Sequence, residues 1–187
     1  MRVALPEAHH QNPLGHLSEH YAPEMVNAAF GFSDVTYRMS KLPTRLFEGA
    51  RMRTALINGC QLCQNFRVLR DRPDIERVNG PAPDEAFYAA VHEWRTSTVL
   101  SEREKLAIEY AEKVGLDPKA LATDEDFWAR YKAALSDDEI VDLAFCALPV
   151  LREVAGWPND GTGAGCKRNV MTTPGSRRRW ESTTGST

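Results

Sequence analysis

The sequence predicts an all-α protein, and three observations lead to that prediction. Apolar residues recur at helical intervals in several segments, as in the stripe Phe87, Val91 and Trp94. Two segments, which start at Ser101 and Ser136, begin with Ser-x-x-Glu, a capping box typical of a helix N-terminus. No segment alternates apolar and polar residues with the two-residue period of a β-strand. We therefore expect the chain to fold from helices alone.

The predicted helices follow one another with short breaks. One or two short helices are expected before residue 40, and a helix over residues 44–58 is expected to stop at Gly59, because Asn-Gly terminates helices. The next helix is predicted to begin at Cys60 and to continue to about Arg70. Later helices are predicted over residues 84–97, 101–114 and 136–150, on the strength of their apolar stripes and capping boxes.

The composition indicates one globular domain with flanking segments. The 187 residues are 42% hydrophobic and 26% charged, which is ordinary for a domain with a proper core. We expect an N-terminal arm over residues 1–40, a domain over 41–157 and a disordered tail over 158–187, since that last segment is rich in Gly, Ser, Thr and Arg.

Charge and hydropathy narrow the classes of partner. The formal net charge of −3 argues against a nucleic-acid binder. No apolar run approaches the roughly 18–20 residues of a membrane helix, and the first residues lack the apolar core of a secretory signal. A cytoplasmic protein that binds neither membrane nor nucleic acid is therefore expected.

Cys60 and Cys63 form a Cys-x-x-Cys pair in a chain with four cysteines. Such a pair indicates dithiol/disulfide chemistry or half of a metal site. At the first turn of a helix, free amides and the helix dipole favour a thiolate, most of all on Cys60, and the spacing suits a disulfide. Arg67, one turn beyond Cys63 in the predicted helix, is positioned to favour the thiolate further.

Glu48 lies twelve residues before Cys60, on the preceding predicted helix. If the two helices are antiparallel, the carboxylate is brought back towards the cysteines. There it can act as a general base, provided that burial raises its pKa.

Less specific readings remain open for these residues. The two cysteines can be small core residues, and Glu48 can be a surface acid. A four-cysteine zinc site would need Cys146 and Cys166, which lack the short spacing that closes such sites. We expect neither a metal nor a cofactor.

Glu-x11-Cys-x-x-Cys, followed by Leu100-Ser-Glu-Arg-Glu and Leu135-Ser-Asp-Asp-Glu, resembles the AhpD-like alkylhydroperoxidase branch of the carboxymuconolactone decarboxylase family. The resemblance covers roughly residues 40–155. It implies an AhpD-like helical bundle, assembled as trimers or hexamers, with an antioxidant thiol peroxidase or disulfide reductase activity. It also implies that Cys63 attacks the hydroperoxide, that Cys60 resolves the sulfenate and that Glu48 accepts the proton. The implied partners are a hydroperoxide or another small-molecule substrate and a thiol electron donor or peroxiredoxin-type protein.

Arg67 departs from the family motif, which places a histidine four residues after the second cysteine. Histidine passes a proton at neutral pH, whereas arginine stays charged. Arg67 is expected to hold Cys63 as a thiolate and to orient a peroxide oxygen, while the relay to Glu48 lacks its middle member. The alternatives are a lactone enzyme like the family's namesake and a non-enzymatic dithiol redox sensor.

Overall fold

Helices make up the regular structure of the described residues, 6–10, 13–75 and 79–147, in this computed structural model. The predicted tail over 158–187 and residues 148–150 of the last predicted helix lie outside them. In chain order the elements are a 3-10 helix (Glu7–His9) and the helices α1 (Pro13–His20), α2 (Pro23–Met39), α3 (Thr44–Asn58), α4 (Gln61–Asn65), α5 (Val68–Asp71), α6 (Glu85–Ala90), α7 (Glu102–Leu116), α8 (Pro118–Leu121), α9 (Glu125–Ala134) and α10 (Asp137–Cys146). The all-α prediction is confirmed over these residues.

The long helices α3 and α7 form the centre of the fold. Two glycines allow their backbones to approach closely: a Cβ on Gly49 would meet Ile108 at 3.1 Å, and a Cβ on Gly115 would meet Ile57 at 3.1 Å. The core around this pair is aromatic and aliphatic, and its fully buried members include Phe87, Phe127, Tyr131 and Leu143. α3 is therefore packed closely against α7, and it carries Glu48 into the interior.

Both predicted capping boxes are present. At the start of α7, the Glu104 amide donates to Ser101 Oγ at 3.3 Å, and the Ser101 amide donates to Glu104 Oε2 at 2.8 Å. Ser136 and Glu139 make the same reciprocal pair at the start of α10. Each box satisfies amides that a helix N-terminus leaves without partners.

The single helix predicted from Cys60 to about Arg70 is wrong, since α4 ends at Asn65 and α5 starts at Val68. A continuous helix needs a bond from the Arg67 amide to the Cys63 carbonyl. Instead, the Arg67 amide donates to Asp71 Oδ2 at 2.9 Å, and the Cys63 carbonyl accepts from Arg51 Nη1 at 2.5 Å. Side chains therefore take both partners of the missing helical bond.

The predicted helix over 84–97 is also too long, because α6 ends at Ala90 and a series of turns follows. Trp94 Nε1 donates to Glu112 at 3.1 Å, and the neighbouring Arg95 binds the same carboxylate. Adjacent side chains do not face the same way on a regular helix, so this shared partner favours turns.

None of the helices in the described part of the chain has the length and apolar character needed to cross a membrane.

Candidate redox site

Cys60 and Cys63 lie where the chain leaves α3 and enters α4. Gly59 ends α3 in the left-handed conformation (φ 63°), which a glycine adopts without strain. Cys60 then caps α4, and its sulfur accepts the Cys63 amide at 3.3 Å. The two cysteines form a disulfide with a Cα–Cα distance of 5.3 Å. The predicted pair at a helix N-terminus is therefore present, and both residues are half-buried.

Glu48 is fully buried, with an exposed fraction of 0%. Its Oε1 accepts from Tyr37 Oη and from Arg51 Nε, both at 2.9 Å. Its Oε2 accepts from Tyr88 Oη at 2.6 Å and from Arg51 Nη2 at 3.0 Å. A buried carboxylate needs such partners, because an unpaired charge inside a protein is very costly.

Charge in this cluster is divided between one acid and one base. Burial raises the pKa of Tyr88, and the nearby Glu48 carboxylate raises it further. The same two causes raise the pKa of Tyr37 well above its ordinary value. Burial opposes the charge of Arg51, but the Glu48 carboxylate outweighs it and raises the pKa of Arg51. The two tyrosines are therefore neutral donors to the Glu48–Arg51 pair.

Arg51 connects this buried pair to the cysteines. Beyond its two bonds to Glu48, Nη1 donates to the Cys63 carbonyl at 2.5 Å, and Nη2 donates to the Phe66 carbonyl at 3.3 Å. The guanidinium is planar and has five donors, so it can serve a carboxylate and backbone carbonyls together. One side chain thus joins Glu48 to the backbone of Cys63.

Arg67 has partners other than those that the sequence suggested. Its Nε and Nη2 bind the Glu85 carboxylate at 2.8 and 2.9 Å, and its Nη1 binds the Gln64 and Phe66 carbonyls at 2.7 and 2.9 Å. The guanidinium also lies over the Tyr88 ring, 4.0 Å from the centroid. Arg67 therefore fixes the turn after α4 and contacts the ring of Tyr88, whose hydroxyl donates to Glu48.

Arginines occupy the carbonyl end of α4. A helix leaves its last four carbonyls without helical partners, and here they belong to residues 63–66. Cys63 accepts from Arg51, Gln64 from Arg67, Asn65 from Arg70, and Phe66 from both Arg51 and Arg67, as a set of guanidinium–carbonyl bonds. The short helix that carries the disulfide is thus fixed at both ends, by Cys60 and by three cations.

Sequence reasoning missed three residues of this cluster: Tyr37, Arg51 and Tyr88. For Arg51 a signal was available, because a Glu and an Arg three residues apart on one helix can pair. The tyrosines come from α2 and α6, 11 and 40 residues from Glu48, and only the tertiary fold brings their hydroxyls to it.

The described residues offer no metal site beside the disulfide. Within residues 6–10, 13–75 and 79–147, no group of three or more His, Cys, Asp or Glu side chains is arranged to hold a metal ion. Burial, with smaller contributions from Asp142 and Glu48, raises the pKa of the half-buried Cys146 thiol. Cys166, which a four-cysteine zinc site requires, lies outside the described residues.

Comparisons with known proteins agree with this fold. A crystal structure of an Agrobacterium tumefaciens protein of unknown function, described as a candidate antioxidant defence protein, AhpD, superposes with a TM-score of 0.58. It is 25% identical, and the match covers 72% of this chain and 87% of that chain. The structure is thus AhpD-like. The carboxymuconolactone decarboxylase branch is not identified by these matches.

The sequence relatives give no functional description. Uncharacterized proteins from two strains of Mycobacterium tuberculosis are 29% identical over 132 residues, or 70% of this chain. The chain spans 43% of their length. No family model matches the sequence.

Proposed function

We propose that this protein is a thiol-dependent oxidoreductase that reduces hydroperoxides through a Cys60–Cys63 dithiol/disulfide cycle. The observation that carries the proposal is the half-buried Cys60–Cys63 disulfide, whose second cysteine is joined through Arg51 to the buried Glu48 carboxylate. The AhpD-like fold, shared with a candidate antioxidant defence protein, supports the same chemistry.

In the proposed cycle the thiolate of Cys63 attacks the distal oxygen of the hydroperoxide, ROOH. The O–O bond breaks, Cys63 becomes a sulfenic acid, and the leaving alkoxide takes the proton that the Cys63 thiol gave up, which yields ROH. The Cys60 thiol then attacks the Cys63 sulfur, and water leaves as the disulfide forms. Two equivalents of a donor thiol, R′SH, supply two electrons and two protons by thiol–disulfide exchange and leave as R′SSR′.

Glu48 is the proposed proton acceptor for this cycle. Its carboxylate receives two arginine and two tyrosine donors, so a proton can reach it through a hydroxyl that is already bonded to it. Arg67 cannot pass a proton, because an arginine is effectively always charged. Its proposed contribution is to hold α4 and Tyr88 in place, through contacts with two carbonyls and the Tyr88 ring.

The test is a count of free thiols together with the intact mass after reduced protein is titrated with an organic hydroperoxide between pH 5 and 9. We expect the loss of two thiols and of about two mass units, mapped to Cys60 and Cys63 by peptide mass spectrometry. Cys63→Ser should abolish peroxide consumption in the presence of excess donor thiol. Cys60→Ser should stop after one turnover with Cys63 as a sulfenic acid.

Two other outcomes would assign other functions. Undiminished peroxide loss by Cys63→Ser would reject the cycle, and turnover of a lactone acid by the Cys60→Ser/Cys63→Ser double variant would favour lactone chemistry. Stoichiometric oxidation without turnover would favour a dithiol redox sensor. The sensor has one observation in its favour, which is that Arg67 occupies the sequence position of the motif histidine, and an arginine cannot pass a proton.

Self-association is proposed on the basis of an exposed apolar surface formed by α2 and α10. Phe32, Val35 and Met39 of α2 are 37–70% exposed, and Val141 and Phe145 of α10 are 58% and 49% exposed. The rings of Phe32 and Phe145 are 6.1 Å apart, so exposed apolar side chains of the two helices adjoin at this pair. Exposed apolar patches of this kind mark interaction sites. Light scattering should give a trimer or hexamer, and Val35→Glu should yield a smaller species.

A further inference from the structure

We propose that Arg51 is the positioning residue of the dithiol, because its guanidinium is the link between the buried Glu48 carboxylate and the backbone of Cys63. The inference rests on the proposed redox cycle of Cys60 and Cys63. It concerns how the reactive thiol is held and what charge faces it.

The Arg51 guanidinium binds Glu48 with one edge and Cys63 with its remaining nitrogen. One edge, Nε and Nη2, binds both oxygens of Glu48 at 2.9 and 3.0 Å, while Nη1 points away and donates to the Cys63 carbonyl at 2.5 Å. The cation thus stands between the carboxylate and Cys63. Although the pair is neutral as a whole, its positive end faces the backbone carbonyl of Cys63, and positive charge near a cysteine favours a thiolate.

The same hydrogen bonds also fix the position of α4. Arg51 also donates to the Phe66 carbonyl at 3.3 Å, so it grips α4 at two points one turn apart. Because Arg51 belongs to α3, which packs closely against α7, and its side chain is 13% exposed, α4 cannot turn without breaking these bonds. Cys63 is therefore kept facing Cys60, which is the arrangement that a disulfide requires.

Other charged or titratable groups act on the same segment. From α3, α2 and α6 these are the Glu48–Arg51 pair with its two tyrosines, and from the turn after α4 they are arginine–carboxylate pairs. The set is Cys60, Tyr37, Glu48, Arg51, Arg67, Arg70, Asp71, Glu85 and Tyr88. Arg67 and Arg70 pair with Glu85 and Asp71, which are more exposed than Glu48. The arginine side chains are themselves 13% exposed for Arg51, 17% for Arg67 and 59% for Arg70, so Arg51 is the most deeply buried of the three.

The chain offers a matched control for Arg51 on the same helix. Arg45 pairs with Glu104, and the exposed fractions of these two side chains are 17% and 8%. Arg45 Nη2 donates to Glu104 Oε2 at 3.4 Å and also to the Val99 carbonyl at 3.2 Å, near the start of α7. A change from Arg to Lys at position 45 thus disturbs a comparable buried pair that serves a different segment.

The experiment measures thiol reactivity directly, so it does not depend on peroxide turnover. Reduced wild type, Arg51→Lys, the Glu48→Gln/Arg51→Gln double variant and Arg45→Lys are alkylated with iodoacetamide between pH 5 and 9. The extent of reaction at Cys60 and at Cys63 is read by peptide mass spectrometry. The double variant avoids leaving Glu48 as an unpaired buried charge, which would threaten folding.

We expect the apparent pKa of Cys63 to rise by about one unit in the double variant, with a roughly tenfold slower reaction at the acid end of the range. Arg51→Lys should raise it by less, because a lysine keeps the charge but cannot bridge the carboxylate and two carbonyls. Arg45→Lys should leave it unchanged.

Two results would overturn the inference. One is a folded double variant, by circular dichroism, whose Cys63 reacts with the wild-type pH profile. The other is an equal shift in Arg51→Lys and Arg45→Lys, which would mean that any loosening of α3 has the same effect. A shifted profile without peroxide consumption would retain Arg51 as the positioning residue and reject the proposed peroxidase cycle instead.

Discussion

Three buried arginine–carboxylate pairs lie along α3, and two of them, those of Arg45 and Arg51, serve different ends. Arg45 binds Glu104, whose carboxylate also accepts the Ser101 amide in the capping box of α7. Arg51 binds Glu48, which lies on the same helix and accepts hydrogen bonds from the hydroxyls of Tyr37 and Tyr88. The first pair fastens the start of a long helix, and the second fastens the segment that carries the disulfide.

The difference shows that the remaining donors of the arginine decide what such a pair does. Arg45 donates from Nη2 to the Val99 carbonyl, which precedes the cap of α7. Arg51 uses its spare donors on the Cys63 and Phe66 carbonyls of α4. Buried ion pairs are weak evidence of stabilisation in themselves, because desolvation offsets much of their attraction. Their value here is in holding neighbouring backbone in place.

Removing each carboxylate gives the largest difference between the pairs. Glu48→Ala leaves Arg51 buried without its counter-charge and removes the partner of two tyrosine hydroxyls, so we expect a loss of about 3–5 kcal/mol in the free energy of unfolding. Glu104→Ala should cost less, about 2 kcal/mol, since half of a capping box is lost together with an ion pair whose arginine side chain is 17% exposed. Urea unfolding of both variants at pH 7 measures the two losses.

Equal losses in these two variants would contradict the comparison, because the exposed fractions of the two carboxylates are 0% and 6% and their surroundings differ. Glu102→Ala provides a surface control. Its side chain is 87% exposed and bonds to Lys105, so its change should fall within experimental error.

The tyrosine contacts allow a finer test of the Glu48 pair. Tyr88→Phe removes the donor at 2.6 Å and leaves the ring under Arg67, so about 1–3 kcal/mol should be lost through one under-satisfied carboxylate oxygen. Tyr37→Phe removes the donor at 2.9 Å to the other oxygen and should cost no more. A cost for Tyr88→Phe below that of Tyr37→Phe would show that the shorter contact is not the stronger one.

These regions also differ in how far the sequence predicted them. α3, both capping boxes and the Cys-x-x-Cys at a helix start follow from local signals, because periodicity, Ser-x-x-Glu and Asn-Gly act within a few residues. The break after α4 does not, because it depends on Arg51 taking the Cys63 carbonyl from a distance of twelve residues. The hydroxyls on Glu48 are less predictable still, since they come from separate helices.

The ion pair of Arg67 and Glu85 should contribute little. Glu85 is 75% exposed, so solvent screens the attraction, and Glu85→Ala is expected to cost at most about 1 kcal/mol in urea unfolding. Arg67→Ala should cost more, because it also removes donors to the Gln64 and Phe66 carbonyls. If both variants lose the same free energy, the carbonyl contacts of Arg67 do not stabilise the turn.

The pH dependence of the unfolding free energy tests the Arg45 pair most selectively, and its expected effect is the smallest. Burial opposes the charge of Glu104, but the Arg45 guanidinium and the Ser101 amide outweigh it and lower the pKa of Glu104 below its ordinary 4.5. A carboxyl whose pKa is lower in the folded state stabilises the fold above its unfolded pKa, and that stabilisation is lost as the pH falls through the folded value.

Several other carboxyls with lowered pKa values, among them Asp34, Glu112 and Glu139, titrate in the same range, so the wild type alone cannot isolate Glu104. Glu104→Gln can, because glutamine resembles the protonated acid at every pH. We expect the gap in unfolding free energy between the two proteins to narrow as the pH falls from 7 through the range below 4.5. A gap that stays constant over that range would show that Arg45 holds Glu104 by geometry rather than by charge.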